Sequence, residues 1–76
     1  MAIEETLRNI LFEKFNVKDF SITESIESDL GLDSLDQVEL IMSIEDTYDL
    51  EIPDDDVMQL KNMKDVIAYL ESHGRK

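Results

Sequence analysis

Three separated stretches of this sequence repeat apolar residues three and four positions apart, which is the spacing of one face of an α-helix. Ile3, Leu7, Ile10, Leu11 and Phe15 form the first, Leu40, Ile41, Ile44 and Tyr48 the second, and Met63, Val66, Ile67 and Leu70 the third. With 76 residues and no cysteine, the chain has no disulfide to compensate for a thin core. A chain this short buries only roughly 60% of the surface it exposes unfolded, so the three faces have to be packed on one another. Pro53 followed by Asp54, Asp55 and Asp56 adds a short fourth helix. The expected fold is therefore all-α: a small bundle of three longer helices and one short one, in a single domain spanning residues 1–76, with a long loop between the first two helices.

The boundaries follow from local chemistry. The first helix is expected from about Ile3 to Phe15, with Glu4 and Glu5 favoured by the positive end of its dipole and Asn16 closing it. Phe12 falls off the apolar stripe and is expected half-exposed. Asn16 to Leu32 has no sustained periodicity, and a loop of that length in a compact domain is either functional or pinned. Ile22, Ile26 and Leu30 are the expected pins, with one helical turn around Thr23 to Glu27. The second helix spans Ser34 to Tyr48, and Leu50 to Pro53 end it, because proline cannot continue a helix. The short helix then runs from Pro53 to about Leu60. A box from Asn62 to Asp65 opens the last helix, Gly74 stops it, and the tail His73 to Lys76 is expected to fray.

The start of the second helix is the one place where the sequence offers a function. Gly31 permits a turn that a β-carbon would strain, and Asp33 and Ser34 are both good N-cap residues. Either can head a box, Asp33 with Asp36 or Ser34 with Gln37. Asp33 is the preferred cap, since the Ser34 hydroxyl is then left free in the first turn beside a positive helix end that suits a phosphate ester. Around this helix, at about 100° per residue from Leu35, the core face lies between about 140° and 240°. Leu35, Val38 and Met42 occupy a second apolar sector, between about 300° and 360°, interleaved with carboxylates including Glu39, Glu45, Asp46 and Asp49. Burying that sector would drag carboxylates out of water at large cost, so it is expected to stay exposed as an acid-edged strip for partners. The alternative is that Val38 and Met42 pack under the long loop.

Charge sharpens this expectation. The formal charge is −12, and between Asp19 and Leu60 there is no Lys or Arg, while all but five of the 19 acids fall there. Such a segment repels nucleic acid and anionic membrane and attracts basic protein surfaces at rates that fall with salt. No apolar run approaches the ~20 residues of a membrane span, and the N-terminus lacks the basic and apolar regions of a signal peptide. A cytoplasmic monomer is expected.

The run Asp29-Leu30-Gly31-Leu32-Asp33-Ser34-Leu35-Asp36-Gln37-Val38-Glu39-Leu40, followed by Glu51-Ile52-Pro53-Asp54 and an apolar stripe ending in Tyr69-Leu70, resembles the acyl carrier proteins over nearly the whole chain. It looks most like the free-standing bacterial carriers of fatty-acid synthesis, although the first loop is somewhat shorter and Leu32 stands where many carriers have a smaller residue. The resemblance implies a covalent 4′-phosphopantetheine on Ser34, flanked by Asp33 and Leu35, that holds acyl groups as thioesters. It also implies docking through Leu35, Asp36, Val38, Glu39, Met42 and Asp46. The partners it implies are a phosphopantetheinyl transferase, acyltransferases, ketosynthases and other basic-surfaced acyl-processing enzymes.

Other readings stay in view. A carrier for another acyl, aminoacyl or polyketide pathway has the same motif, though peptidyl carriers usually have Gly-Gly-x-Ser before the arm, which Leu32-Asp33 does not match. An acidic interaction module switched by phosphorylation of Ser34 would use the same helix end. Catalysis by Ser34 itself is not expected, because the single His lies in the tail and no Gly-x-Ser-x-Gly elbow exists. No metal site is expected either, as the three consecutive aspartates lack a calcium-loop pattern.

Overall fold

The computed structural model describes residues 2–75. Four helices follow one another: α1 (Ile3–Phe15), α2 (Ser34–Tyr48), α3 (Asp54–Val57) and α4 (Met63–Ser72). Helix α1 packs against both α2 and α4. The three apolar stripes meet as expected, and the side chains that water barely reaches are Leu7 and Leu11 from α1, Leu40 and Ile44 from α2, and Met63, Val66 and Leu70 from α4. Burying each such side chain fully contributes about 1.5–3 kcal/mol relative to leaving it exposed. Phe12 stays 53% exposed, off the stripe.

Helix ends use the residues suited to them. Asn16 takes a left-handed conformation at φ 58°, and the Val17 N–H reaches back to the Leu11 carbonyl, closing α1. Asn62 caps α4 by accepting the Asp65 N–H at 2.9 Å. The returning bond of that box comes from one residue earlier, since the Lys61 N–H, not that of Asn62, donates to the Asp65 carboxylate at 3.0 Å.

The long loop is pinned by more than its apolar residues. Phe20, Ile26 and Leu32 are buried, and Ile22 and Leu30 pack against the core. Its backbone also pairs with the lead into α4: the Ile26 N–H donates to the Lys61 carbonyl at 3.0 Å and the Lys64 N–H to the Ile22 carbonyl at 2.9 Å. The stretch expected to hold one helical turn makes two: a tight turn at Ile22 and Thr23, where the Glu24 N–H meets the Ser21 carbonyl at 3.0 Å, and a helical one closing where the Asp29 N–H meets the Ser25 carbonyl at 2.9 Å. The Asp29 carboxylate fixes that position by accepting the Ser25 N–H at 2.8 Å. Arg8 lies over the Phe20 ring, 4.5 Å from its centroid, and ties the loop to α1.

Two expectations about ends need correction. Helix α3 is a single turn ending at Val57, with a further turn at Met58 and Gln59 before Leu60. The tail does not fray over its described part. Gly74 adopts φ 78°, and the Arg75 N–H returns to the Leu70 carbonyl at 2.9 Å. The Arg75 side chain then reaches the end of α2, donating to the Tyr48 carbonyl at 2.9 Å and the Asp49 carbonyl at 3.1 Å. The physical reason is an unmet need, because α2 has no basic residue in its last turn and its final carbonyls require donors. Lys76 lies outside the described residues.

Candidate functional site

Helix α2 begins where a left-handed residue and a buried one set its direction. Gly31 has φ 73° and nothing within 4 Å of where a Cβ would stand, so glycine is needed there for its backbone and not for space. Leu32 is buried, its N–H donating to the Ile26 carbonyl at 3.2 Å and its carbonyl accepting from Gln37 Nε2 at 3.0 Å. Leu32 thus fills the core beneath the turn, which is how the chain accommodates a large residue there.

Asp33 is the cap. Its carboxylate accepts the Asp36 N–H at 2.9 Å, and Asp36 returns the bond to the Asp33 N–H at 3.4 Å, closing a capping box. The box is complete without Ser34, the first helical residue, which is exposed. Its hydroxyl therefore stands in solvent at the positive end of a helix. Both neighbouring carboxylates are engaged with backbone N–H groups instead of facing that hydroxyl unpaired.

The strip on the outer side of α2 is open. Leu35, Val38 and Met42 are 77%, 56% and 57% exposed, while Leu40 and Ile44 on the inner face are buried. Val38 and Met42 therefore do not pack under the loop. Glu39 and Asp46 are exposed along the strip, and Asp36 is half-buried in the box. Glu45 is engaged within the protein, its carboxylate accepting the Ile52 N–H at 2.8 Å and fixing the chain that leads into α3.

Between α2 and α3 the surface sinks into a hollow of about 450 Å³, lined by Val38, Ile41, Met42, Ile52, Pro53 and Val57 among others. A second hollow of about 310 Å³ lies between the loop, α2 and α3, with Gln37, Val57, Met58 and Lys61 on its walls. Helix α3 has no fully buried residue. A polar bond holds it to α4: the Tyr69 hydroxyl donates to the Asp56 carboxylate at 2.8 Å. Burial first, then that bond and the negative charges of Asp56 and Glu45, push the Tyr69 hydroxyl up to about 12.

Two contributors were not singled out in the sequence. Glu45 reads there as one more acid beside the strip, and only the fold shows it reaching Ile52. Met58, which the sequence leaves open as core or surface packing, is 70% exposed; its signal is an apolar residue close to Asp54, Asp55, Asp56 and Gln59. The single His73 donates from Nδ1 to the Tyr69 carbonyl at 2.8 Å and stacks on the Tyr69 ring. It is occupied at the end of α4. Among the described residues, no three His, Cys, Asp or Glu side chains gather in a metal-holding group, and no helix is long and apolar enough to cross a membrane.

A compact all-α scaffold that presents one free serine at a helix start, beside an acid-edged apolar strip, has the build of a carrier for a group attached to it. Residues 5–70 match the family described as "Phosphopantetheine attachment site". The chain is 44% identical over 77 residues to the acyl carrier protein of Bdellovibrio bacteriovorus, covering 99% of each chain. It is 40% identical over 72 residues to the acyl carrier protein of Akkermansia muciniphila, covering 92% of this chain and 90% of the relative. The chain belongs to this phosphopantetheine-attachment family, the acyl carrier proteins. Membership brings a covalently attached 4′-phosphopantetheine, whose thiol supplies the thioester chemistry. The residues present fit such a group, since an exposed hydroxyl at the positive end of a helix accepts a phosphodiester without dismantling a cap.

Proposed function

We propose that Ser34 is the attachment point of the arm and that residues 1–76 act as one cytoplasmic carrier domain in fatty-acid biosynthesis. The observation that carries this reading is the capping box of Asp33 and Asp36, which leaves Ser34 exposed and unneeded by the helix. The other serines fit less well. Ser21 shares a hydrogen bond with Thr23, Ser25 accepts the Ser28 N–H, Ser72 donates to the Tyr69 carbonyl, Ser43 is half-buried in mid-helix, and Ser28 lies in a loop turn. Fatty-acid synthesis is supported by full-length similarity to relatives named simply as acyl carrier proteins.

Ser34 is an acceptor here and not a catalyst. Its oxygen attacks the phosphorus of coenzyme A that bears the pantetheine. The new O–P bond replaces the pyrophosphate P–O bond, adenosine 3′,5′-bisphosphate leaves with the electron pair, and the hydroxyl proton passes to a base of the transferase. Asp33 caps the helix and, with the exposed Leu35, flanks the serine. Leu35, Val38 and Met42, with Asp36, Glu39 and Asp46 around them, dock the transferase, acyltransferases and ketosynthases through basic surfaces with apolar centres.

Incubation with coenzyme A and a broad-specificity transferase, followed by intact mass, tests the assignment. Wild type should gain one phosphopantetheine and Ser34→Ala none; equal labelling of the two would sink it. The mass of the protein purified from its host also separates an arm from a phosphoserine.

A further inference from the structure

Among the described residues five large apolar side chains are exposed, and four of them, Leu35, Val38, Met42 and Met58, lie on the outer strip of α2 and just after α3. Phe12 on α1 is the fifth. Met58 is not an isolated surface residue. Val57, beside it in the chain, lines both hollows, the one it shares with Val38 and Met42 and the one it shares with Gln37 and Met58. Gln37, on the wall of the hollow that Met58 borders, stands one helical turn from Ser34. The Met58 backbone is fixed, its N–H donating to the Asp54 carbonyl at 3.1 Å, while its side chain is 70% exposed.

We propose that Met58 is a second apolar anchor, outside α2, for the enzyme that installs the arm; the proposal rests on Ser34 being the acceptor. Group transfer requires the Ser34 oxygen to lie about 3–3.5 Å from the phosphorus it attacks. No flexible arm yet exists to bridge a gap. The installing enzyme must therefore cover the ground around Ser34, where Leu35 and Val38 on α2 are open to it and Met58 is the exposed apolar group on the wall shared with Gln37. Enzymes that act later reach the thioester through the length of the arm and are free of this constraint.

The chemistry of the occupant follows from the rim. Exposed Glu27, Asp54 and Asp55 lie on the α3 side and Glu39 and Asp46 along α2, with Lys61 the one base on the wall of the hollow beside Met58. A matching enzyme face carries Lys or Arg around two apolar sockets. A second copy of this chain, at −12, is repelled. A methionine suits the role, since its unbranched thioether adapts to the socket offered.

The test is steady-state transfer from coenzyme A by a phosphopantetheinyl transferase onto wild type, Met58→Gln, Met58→Leu and Phe12→Gln, with thermal melts of each. Met58→Gln should raise KM for the carrier about fivefold to tenfold, the loss expected for one anchoring side chain, with kcat and melting temperature unchanged. Met58→Leu should recover most of the loss, and Phe12→Gln should match wild type. If Met58→Gln stays within about twofold of wild type while Met42→Ala is impaired, docking is confined to α2 and the proposal fails. It also fails if Met58→Gln alters sedimentation but not transfer, because the surface would then serve self-association. Ser34→Ala run alongside reports on the underlying reading, since labelling of that variant overturns the acceptor itself and not only the anchor.

Discussion

The two sides of α2 are made of the same kinds of residue and are held together by different forces. On the inner side Leu40 and Ile44 meet Leu7, Leu11, Val66 and Leu70, all at 1% exposure or less. On the outer side the same helix shows Leu35, Val38 and Met42 to water, and its neighbour α3, which packs only the half-buried Val57 against the core, is tied by single polar bonds, Tyr69 to Asp56 and, just before it, Glu45 to the Ile52 N–H. Stability is concentrated in the first side and adaptable surface in the second. The contrast teaches that a thin core can leave an apolar face open to water if that face contributes little to folding.

The largest effect should come from truncating the inner side. Ile44→Ala removes a side chain with no exposed area and should cost about 2–5 kcal/mol. Met42→Ala, two positions earlier, should change stability by under about 0.5 kcal/mol, as surface substitutions usually do. Its effect should appear instead in faster dissociation from a partner enzyme, by loss of apolar area buried on binding. Thermal melts paired with surface-binding kinetics separate the two. If Met42→Ala melts as early as Ile44→Ala and binds normally, the division of the helix into two faces is wrong.

A smaller effect tests the polar side. Tyr69→Phe deletes the donor to Asp56, and a partly buried bond to a charged acceptor is worth about 1 kcal/mol after the carboxylate regains water. The same bond carries a pH signature. The Tyr69 hydroxyl titrates at about 12 in the fold against 10.0 for a free tyrosine. Its folded value is raised, so its contribution is fully present below 10 and is lost as pH rises from there through about 12. Wild type should therefore lose part of its stability over that interval that Tyr69→Phe does not lose. Parallel alkaline stability curves for the two proteins would remove Tyr69 from the account of how α3 is held.

Where sequence and structure agree, short-range rules decide. The bounds of α1 and α2, the Asp33 to Asp36 box and the exposure of Leu35, Val38 and Met42 all follow from periodicity and capping within one helix. The differences are contacts between residues far apart in the chain. Arg75 reads as a fraying base because nothing in its own helix needs it, yet the bare carbonyls at the end of α2 lie within its reach. The turn in the loop closes on Ser25 because residues 22–26 pair with residues 61–64, a register that no local pattern encodes. Met58 shows the same limit at the site, since only packing decides whether an apolar residue just past a one-turn helix faces the core or water.

The smallest effect concerns charge on the outer side. Among the described residues one salt bridge joins a base to an acid, Arg8 to Glu4 at 3.0 Å, and it lies on α1, away from the acidic middle. Arg75 spends its donors on carbonyls and leaves the carboxylates uncompensated. Self-repulsion of that kind acts over the Debye length, about 30 Å at 0.01 M salt and 8 Å at 0.15 M. Raising sodium chloride across that range should lift the melting temperature by a few degrees, the equivalent of about 1 kcal/mol or less in a domain of this size, and then level off. Glu39→Lys, which relieves the repulsion at one point on the strip, should melt slightly higher than wild type at low salt and gain less from added salt. It should also associate more slowly with a basic partner and with a flatter salt dependence. A melting temperature indifferent to salt in both proteins would mean that the acids of the outer side are already spaced widely enough to ignore one another, and the charge contrast between the two sides of α2 would then bear on docking alone.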